Sequence, residues 1–244
     1  QAHCHPIDSV VLDAKGMEIL DVLQNGEEIN YDYPDGNILT LYLDRTYKQN
    51  ENITVTINYV AKPEERETSG SAAITSDKGL YFINPKGEDE NKMPQIWTQG
   101  ETESNSVWFP TIDAPNMKST QEIYLTVDNK YTTLSNGKLI SSKKNNDGTR
   151  TDYWKQDLPH APYLFMIAVG EFKVVKDTYT RGDGKKIEVN YYVEPEYEKD
   201  ARAIFGKTPK MIKFFSEKLG VEYPWDKYSE IVVRDYVSGA MENT

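Results

Sequence analysis

Apolar and polar residues alternate with a period of two through most of this chain, between glycine-bearing turns, and that pattern dictates sheet. In the clearest run, Ile53, Val55, Ile57 and Tyr59 alternate with Asn52, Thr54, Thr56 and Asn58. One face of such a strand enters a core and the other meets water. Ile123, Leu125 and Val127 repeat the pattern, as do Ile187, Val189, Tyr191 and Val193. Turn signals separate the runs: Asp35-Gly36, Asn136-Gly137, Asn146-Asp147-Gly148 and Asp183-Gly184. Residues 1 to about 195 therefore read as short strands joined by turns, which implies a mainly β architecture of packed antiparallel sheets, a sandwich or saddle. No internal repeat or low-complexity tract interrupts it.

The period changes after Pro195. Tyr197, Ala201, Ile204, Phe205, Met211, Ile212, Phe215 and Leu219 recur at helical spacing. Pro209 falls inside this stretch, which predicts a kink or two successive helices, with Thr208 as cap and Pro209 as first helical position. Gly220 supplies the stop, and Ser229 to Val233 reads as a further strand. One helical stretch and one strand cannot close a core. The expected organisation is a β-rich domain over residues 1–190 and the truncated start of a second domain over 191–244.

Composition excludes several classes of partner. The net charge is −11 over 244 residues, which argues against nucleic acid and anionic membranes. The most apolar run, Tyr163 to Val169, is of strand length, far short of the roughly 18–20 residues a membrane helix needs. Gln1 to Ser9 is polar and has no signal-peptide pattern. Cys4 is the single cysteine, so no internal disulfide forms and cysteine usage does not reveal the compartment. Asn52-Ile53-Thr54 is a sequon, but its alternating context reads as plain strand.

The chemistry is concentrated at Gly239-Ala240-Met241-Glu242-Asn243. Upstream stand Thr98-Gln99-Gly100-Glu101, Trp108-Phe109-Pro110, Asp113, Pro115, Lys118, Thr120 and Ser135-Asn136-Gly137. Tyr163-Leu164, Val169-Gly170-Glu171-Phe172 and Tyr223-Pro224-Trp225 with Lys227 complete the set. In content, order and approximate spacing these segments resemble the gluzincin zinc aminopeptidases, and the pentapeptide matches that family's exopeptidase signature at every position. The resemblance covers most of the chain and is strongest after residue 80.

It implies a β-rich amino-terminal domain missing its first strands, since further strands are expected before Val10, followed by the start of a thermolysin-like α+β catalytic domain. It also implies removal of residues from the free amino ends of peptides. An exopeptidase must hold an α-ammonium, and burying that cation is costly unless carboxylates receive it. A charge-assisted hydrogen bond contributes roughly 1.5–3 kcal/mol, so two would disfavour a blocked amine by about two to four orders of magnitude. By resemblance, Glu242 and Glu101 are those carboxylates. Gly239 and Ala240 would offer backbone to a substrate lying alongside as an added strand, and Met241 would lie near the first side-chain pocket. Solvated loop carboxylates are the plainer reading for Glu101 and Glu242, and core packing for Met241. Asn243 reads as a structural hydrogen-bonding residue, and Trp108 and Phe109 read as core.

The family's zinc is held by His-Glu-x-x-His on a helix plus a further Glu. The chain has three histidines, His3, His5 and His160, and no pair spaced four apart. Zinc is thus implied for the parent enzyme and not for this stretch, where no catalytic residue or metal ligand is assigned. The stretch alone is expected to be inactive, with the remaining catalytic domain as its partner. His3, Cys4 and His5 at the start read as adventitious at most. His160, between Leu158-Pro159 and Ala161-Pro162, reads as a loop histidine. A rival class is a non-catalytic binding or scaffold protein that keeps the fold without the metal. A free-standing β-sandwich module is a third, and it leaves residues 196–244 unexplained.

Overall fold

A computed structural model describes residues 5–244, so the reading of His3 and Cys4 lies outside the described residues, while His5 is exposed. The alternating runs become strands that group into two units. The first contains residues up to Leu80, Gln99–Met117 and Ala161–Tyr163. Its strands are β1 (Ile7–Asp13), β2 (Met17–Gln24), β3 (Glu27–Glu28), β4 (Tyr31–Asp32), β5 (Ile38–Tyr47) and β6 (Val55–Ala61). They form two antiparallel three-stranded sheets, ordered β1-β5-β4 and β3-β2-β6. Leu39 and Leu41 of one sheet meet Met17 and Val22 of the other, with Ile57 and Tyr59 of β6 packed against them. This is a small sandwich. The strand expected at Ile53–Tyr59 begins two residues later, at Val55, with its alternation intact.

The second unit contains Tyr81–Thr98, Lys118–His160 and Leu164–Thr244. Strands β7 (Leu80–Ile83), β8 (Gln95–Thr98), β10 (Thr132–Ser135) and β13 (Ile167–Gly170) form one sheet, ordered β10-β13-β8-β7. A second holds β11 (Lys138–Lys144), β12 (Thr149–His160) and β9 (Ser119–Asp128), in that order. A third holds β14 (Lys173–Thr180), β15 (Lys186–Val193) and β16 (Lys227–Ile231). Trp97, Leu134, Trp154, Met166 and Tyr192, drawn from all three sheets and their connections, share one core. His160, expected in a loop, instead closes β12 and is 2% exposed. Its ring stacks on Phe165 with centroids 4.2 Å apart.

Helices α1 (Glu198–Phe205) and α2 (Thr208–Leu219) link β15 to β16, which are parallel. A parallel pair requires such a crossover, and Ala201 and Ile212 bury onto Ile187, Val189 and Tyr191 of the sheet. The two-helix alternative is the one found, but the cap is not. Thr208 is already helical, Lys207 precedes it without a side-chain cap, and the Thr208 hydroxyl donates to Glu230 Oε1 at 2.6 Å. A half-buried carboxylate accepts that hydroxyl's hydrogen bond, which leaves the hydroxyl unavailable to the helix's own amides. Gly220 ends α2 at φ 67°. The last strand, expected at Ser229–Val233, lies two residues earlier. The fold is mainly β and antiparallel, with this short helical element before the signature.

Candidate functional site

After β16 the chain leaves the sheet and is fixed at Arg234. The Arg234 amide donates to Gln95 Oε1 at 3.0 Å, and Trp97 Nε1 donates to the Arg234 carbonyl at 3.1 Å. Its guanidinium grips Glu194 through two bonds, of 2.8 and 2.6 Å, and Gln95 Nε2 donates to the same carboxylate at 2.6 Å. A bidentate pair of this kind sets angle as well as distance. Lys92 pairs with Asp235 at 2.5 Å, and Tyr236 packs on Trp97 with ring centroids 5.0 Å apart. Upstream packing reaches Val237, which joins the same core.

The segment is fixed again at Thr244. Asn136 Nδ2 donates to the Thr244 carbonyl at 2.6 Å and to its hydroxyl at 3.1 Å, and His160 Nδ1 shares a 2.6 Å hydrogen bond with that hydroxyl. Between the two fixings, no hydrogen bond among the described residues involves the backbone of Gly239 to Asn243. These residues line a cavity of about 590 Å³, whose wall also holds Trp97, Met166, Trp225, Lys227 and Tyr228. Gly239, Ala240 and Glu242 are exposed and Met241 is half-buried. A Cβ built on Gly239 would meet nothing within 4 Å, so the space beside it is open. Asn243, expected to make structural hydrogen bonds, instead has its Oδ1 buried without a partner.

Among the ionisable groups of the cavity wall, Lys227 and Glu230 are displaced from their usual behaviour. Burial pushes the Lys227 ammonium down to about 7, against the opposing pull of Asp226 and Glu188. Its Nζ donates to the Ser135 carbonyl at 2.7 Å and lies 5.4 Å from the Trp154 ring centroid. Burial raises the Glu230 carboxyl above the usual carboxylate range, and the bond from Thr208 only partly offsets that.

Glu101 belongs to the first unit. It is half-buried, and its amide donates to Gln99 Oε1 at 2.8 Å across a tight loop whose Glu101–Thr102 peptide bond is cis. Gly100 is obligatory there, because a Cβ would sit 2.3 Å from the Tyr163 carbonyl oxygen. Asn105 braces the loop by donating to the Pro162 carbonyl at 2.6 Å. Trp108 and Phe109, expected as core, are half-buried and meet edge to face at 4.5 Å.

The structure thus gathers Gly239, Ala240, Met241 and Glu242 along one cavity and holds Glu101 in a separately braced loop. Sequence reasoning missed what fixes the signature. Asn136 was visible within Ser135-Asn136-Gly137, but its partner lies 108 residues away. Among the described residues no group of three or more His, Cys, Asp or Glu is arranged to hold a metal. The buried His160 is taken up by Thr244 and Phe165.

A mainly antiparallel β chain with a short parallel β–α–β element before an exopeptidase signature has the make-up of the amino-terminal part of a metallopeptidase. The comparisons supply the family. Residues 1–164 match the Peptidase M1 N-terminal domain and residues 204–244 match the Peptidase family M1 domain. The chain belongs to peptidase family M1. Aminopeptidase N of Haemophilus influenzae is 28% identical over 96% of this chain and 25% of its own length. Puromycin-sensitive aminopeptidase of Caenorhabditis elegans is 27% identical over 85% of this chain and 20% of its own. The chain therefore spans about a quarter or less of these relatives.

Solved structures share the fold. The Legionella pneumophila aminopeptidase A complex with aspartic acid superposes with a TM-score of 0.79 at 20% identity, over 98% of this chain and 26% of that one. A Deinococcus radiodurans M1 zinc metallopeptidase bound to a Tyr-Ser-Ala substrate gives 0.70 at 16% identity, over 94% of this chain and 50% of that one.

Proposed function

We propose that this chain is the amine-anchoring part of a zinc aminopeptidase, holding the free amino end of a peptide while the metal and its ligands come from other residues of the whole protein. The observation that carries the reading is the signature segment itself. It is fixed at Arg234 and Thr244, free of backbone hydrogen bonds among the described residues from Gly239 to Asn243, open beside Gly239, and edged by the Glu242 carboxylate. A segment with free backbone groups can accept a peptide alongside it, and a carboxylate at its rim can receive an ammonium. Met241, half-buried in the same wall, is assigned to the first side-chain pocket. Glu101 is assigned to the ammonium on the resemblance of its Thr-Gln-Gly-Glu segment alone.

The test uses the full-length protein with an unblocked aminoacyl substrate and its N-acetylated counterpart. Glu242→Ala is expected to lower kcat/KM for the unblocked substrate about 10- to 150-fold, the equivalent of one charge-assisted hydrogen bond. Unchanged turnover by that variant sinks the reading. Binding of unblocked peptides with no turnover by the parent protein points to the scaffold class.

A further inference from the structure

We propose that Asn136 and His160 are positioning residues for the amine-anchoring segment, gripping Thr244 so that the Glu242 carboxylate stands at one fixed place. The inference rests on the reading of Glu242 given above, and its test separates the two.

Asn136 is 1% exposed and uses its whole amide. Its Oδ1 accepts the Met166 amide at 2.8 Å, while Nδ2 donates to the Leu164 carbonyl at 2.8 Å as well as to Thr244. One side chain therefore ties three segments together: the β10–β11 turn that carries it, the connection into β13, and the end of the signature. The backbone at this turn is equally constrained. Lys227 donates to the carbonyl of Ser135 just before it, and Gly137 just after it has φ 70° with the Lys155 carbonyl against its Cα. His160 reaches the same hydroxyl from the end of β12, with its ring held by Phe165 and Trp225. Two rigid elements thus converge on a single threonine.

Chain statistics show why that matters. Glu242 is two residues from Thr244 and five from Val237, where the upstream packing ends. A five-residue tether held only upstream wanders over about 12 Å. Misplacing a reacting group by about 1 Å can cost on the order of 100-fold in rate. The upstream fixing alone cannot hold an anchor to that tolerance; the grip on Thr244 can.

The experiment compares Thr244→Val, Thr244→Ser and His160→Asn in the full-length protein. Valine keeps the shape and removes the hydroxyl, serine restores it, and asparagine keeps a polar atom at the place of Nδ1. Thr244→Val should lower kcat/KM for unblocked substrates about 10- to 100-fold. Cleavage after Glu242 by a glutamate-specific protease should accelerate several-fold, while the global melting temperature holds. Thr244→Ser and His160→Asn, which each keep a hydrogen bond at the Thr244 hydroxyl position, should stay close to the parent in both measurements. Thr244→Val with unchanged protease susceptibility overturns the grip, and a looser segment with unchanged kcat/KM overturns the positioning role. A parent protein that leaves unblocked substrates intact overturns the functional reading instead, and protease susceptibility then decides the grip alone.

Discussion

His160 reports its surroundings through its proton. A charged imidazolium there would leave an N–H⁺ at Nε2 buried without a partner, so burial pushes the ring down to about 4. The unfolded chain binds that proton near pH 6.5, so between the two values the unfolded state carries more protons than the folded one. Stability from the neutral ring is complete above pH 6.5 and is lost as pH falls through 4. Urea unfolding of the parent and His160→Asn proteins at pH 7 and pH 4.5 checks this: the gap between parent and variant should narrow at the lower pH. Lys227 runs to the alkaline side. With its folded value near 7 and an ordinary unfolded value, it weakens the fold below pH 7, and that penalty fades as pH rises toward 10. Lys227→Met should therefore flatten the rise in stability between pH 7 and 9.5, read from the same denaturation curves.

At the scale of elements, turns were more legible than packing. All four glycines named as turn signals, Gly36, Gly137, Gly148 and Gly184, have positive φ, because only a residue without Cβ adopts that conformation cheaply. Three of those turns join neighbouring antiparallel strands. The fourth, at Asn136-Gly137, passes the chain from one sheet to another, since β10 pairs with β13 and β11 with β12. Local sequence signals the bend and is silent on what the outgoing strand pairs with. Strand periods were right and their ends were off by two residues, since ends depend on partners that alternation does not name. The Thr208 cap failed for the same reason: Glu230 lies 22 residues on. Gly137→Ala tests this element directly. Its Cβ would fall 1.8 Å from the Lys155 carbonyl oxygen at an unfavourable φ, so a loss of about 3 kcal/mol is expected in chemical denaturation.

For the whole chain, α1 and α2 present a run of exposed apolar side chains. Ile204, Met211, Phe215 and Leu219, which follow the helical period, are each more than half exposed, and so is Phe214 beside them. The relatives are about four times longer than this chain, and M1 residues in such proteins have more polypeptide to pack against. Expressed as these 244 residues, the chain should self-associate through that face. The charge of −11 opposes association at low salt and is screened as salt is added. Sedimentation at low and physiological ionic strength should show growing association, and Phe215→Lys should weaken it.

The two fixings at Arg234 and Thr244 also bear on how such proteins are sorted by motif. Gln95, Asn136, His160 and Glu194 all lie outside the pentapeptide, the nearest of them 45 residues before it. A pattern search that reads Gly239 to Asn243 passes a chain in which all four have drifted. On the proposed reading an unaltered signature is then compatible with a lost anchor, and chains that keep the pentapeptide but differ at those four positions are expected to turn over unblocked substrates more slowly.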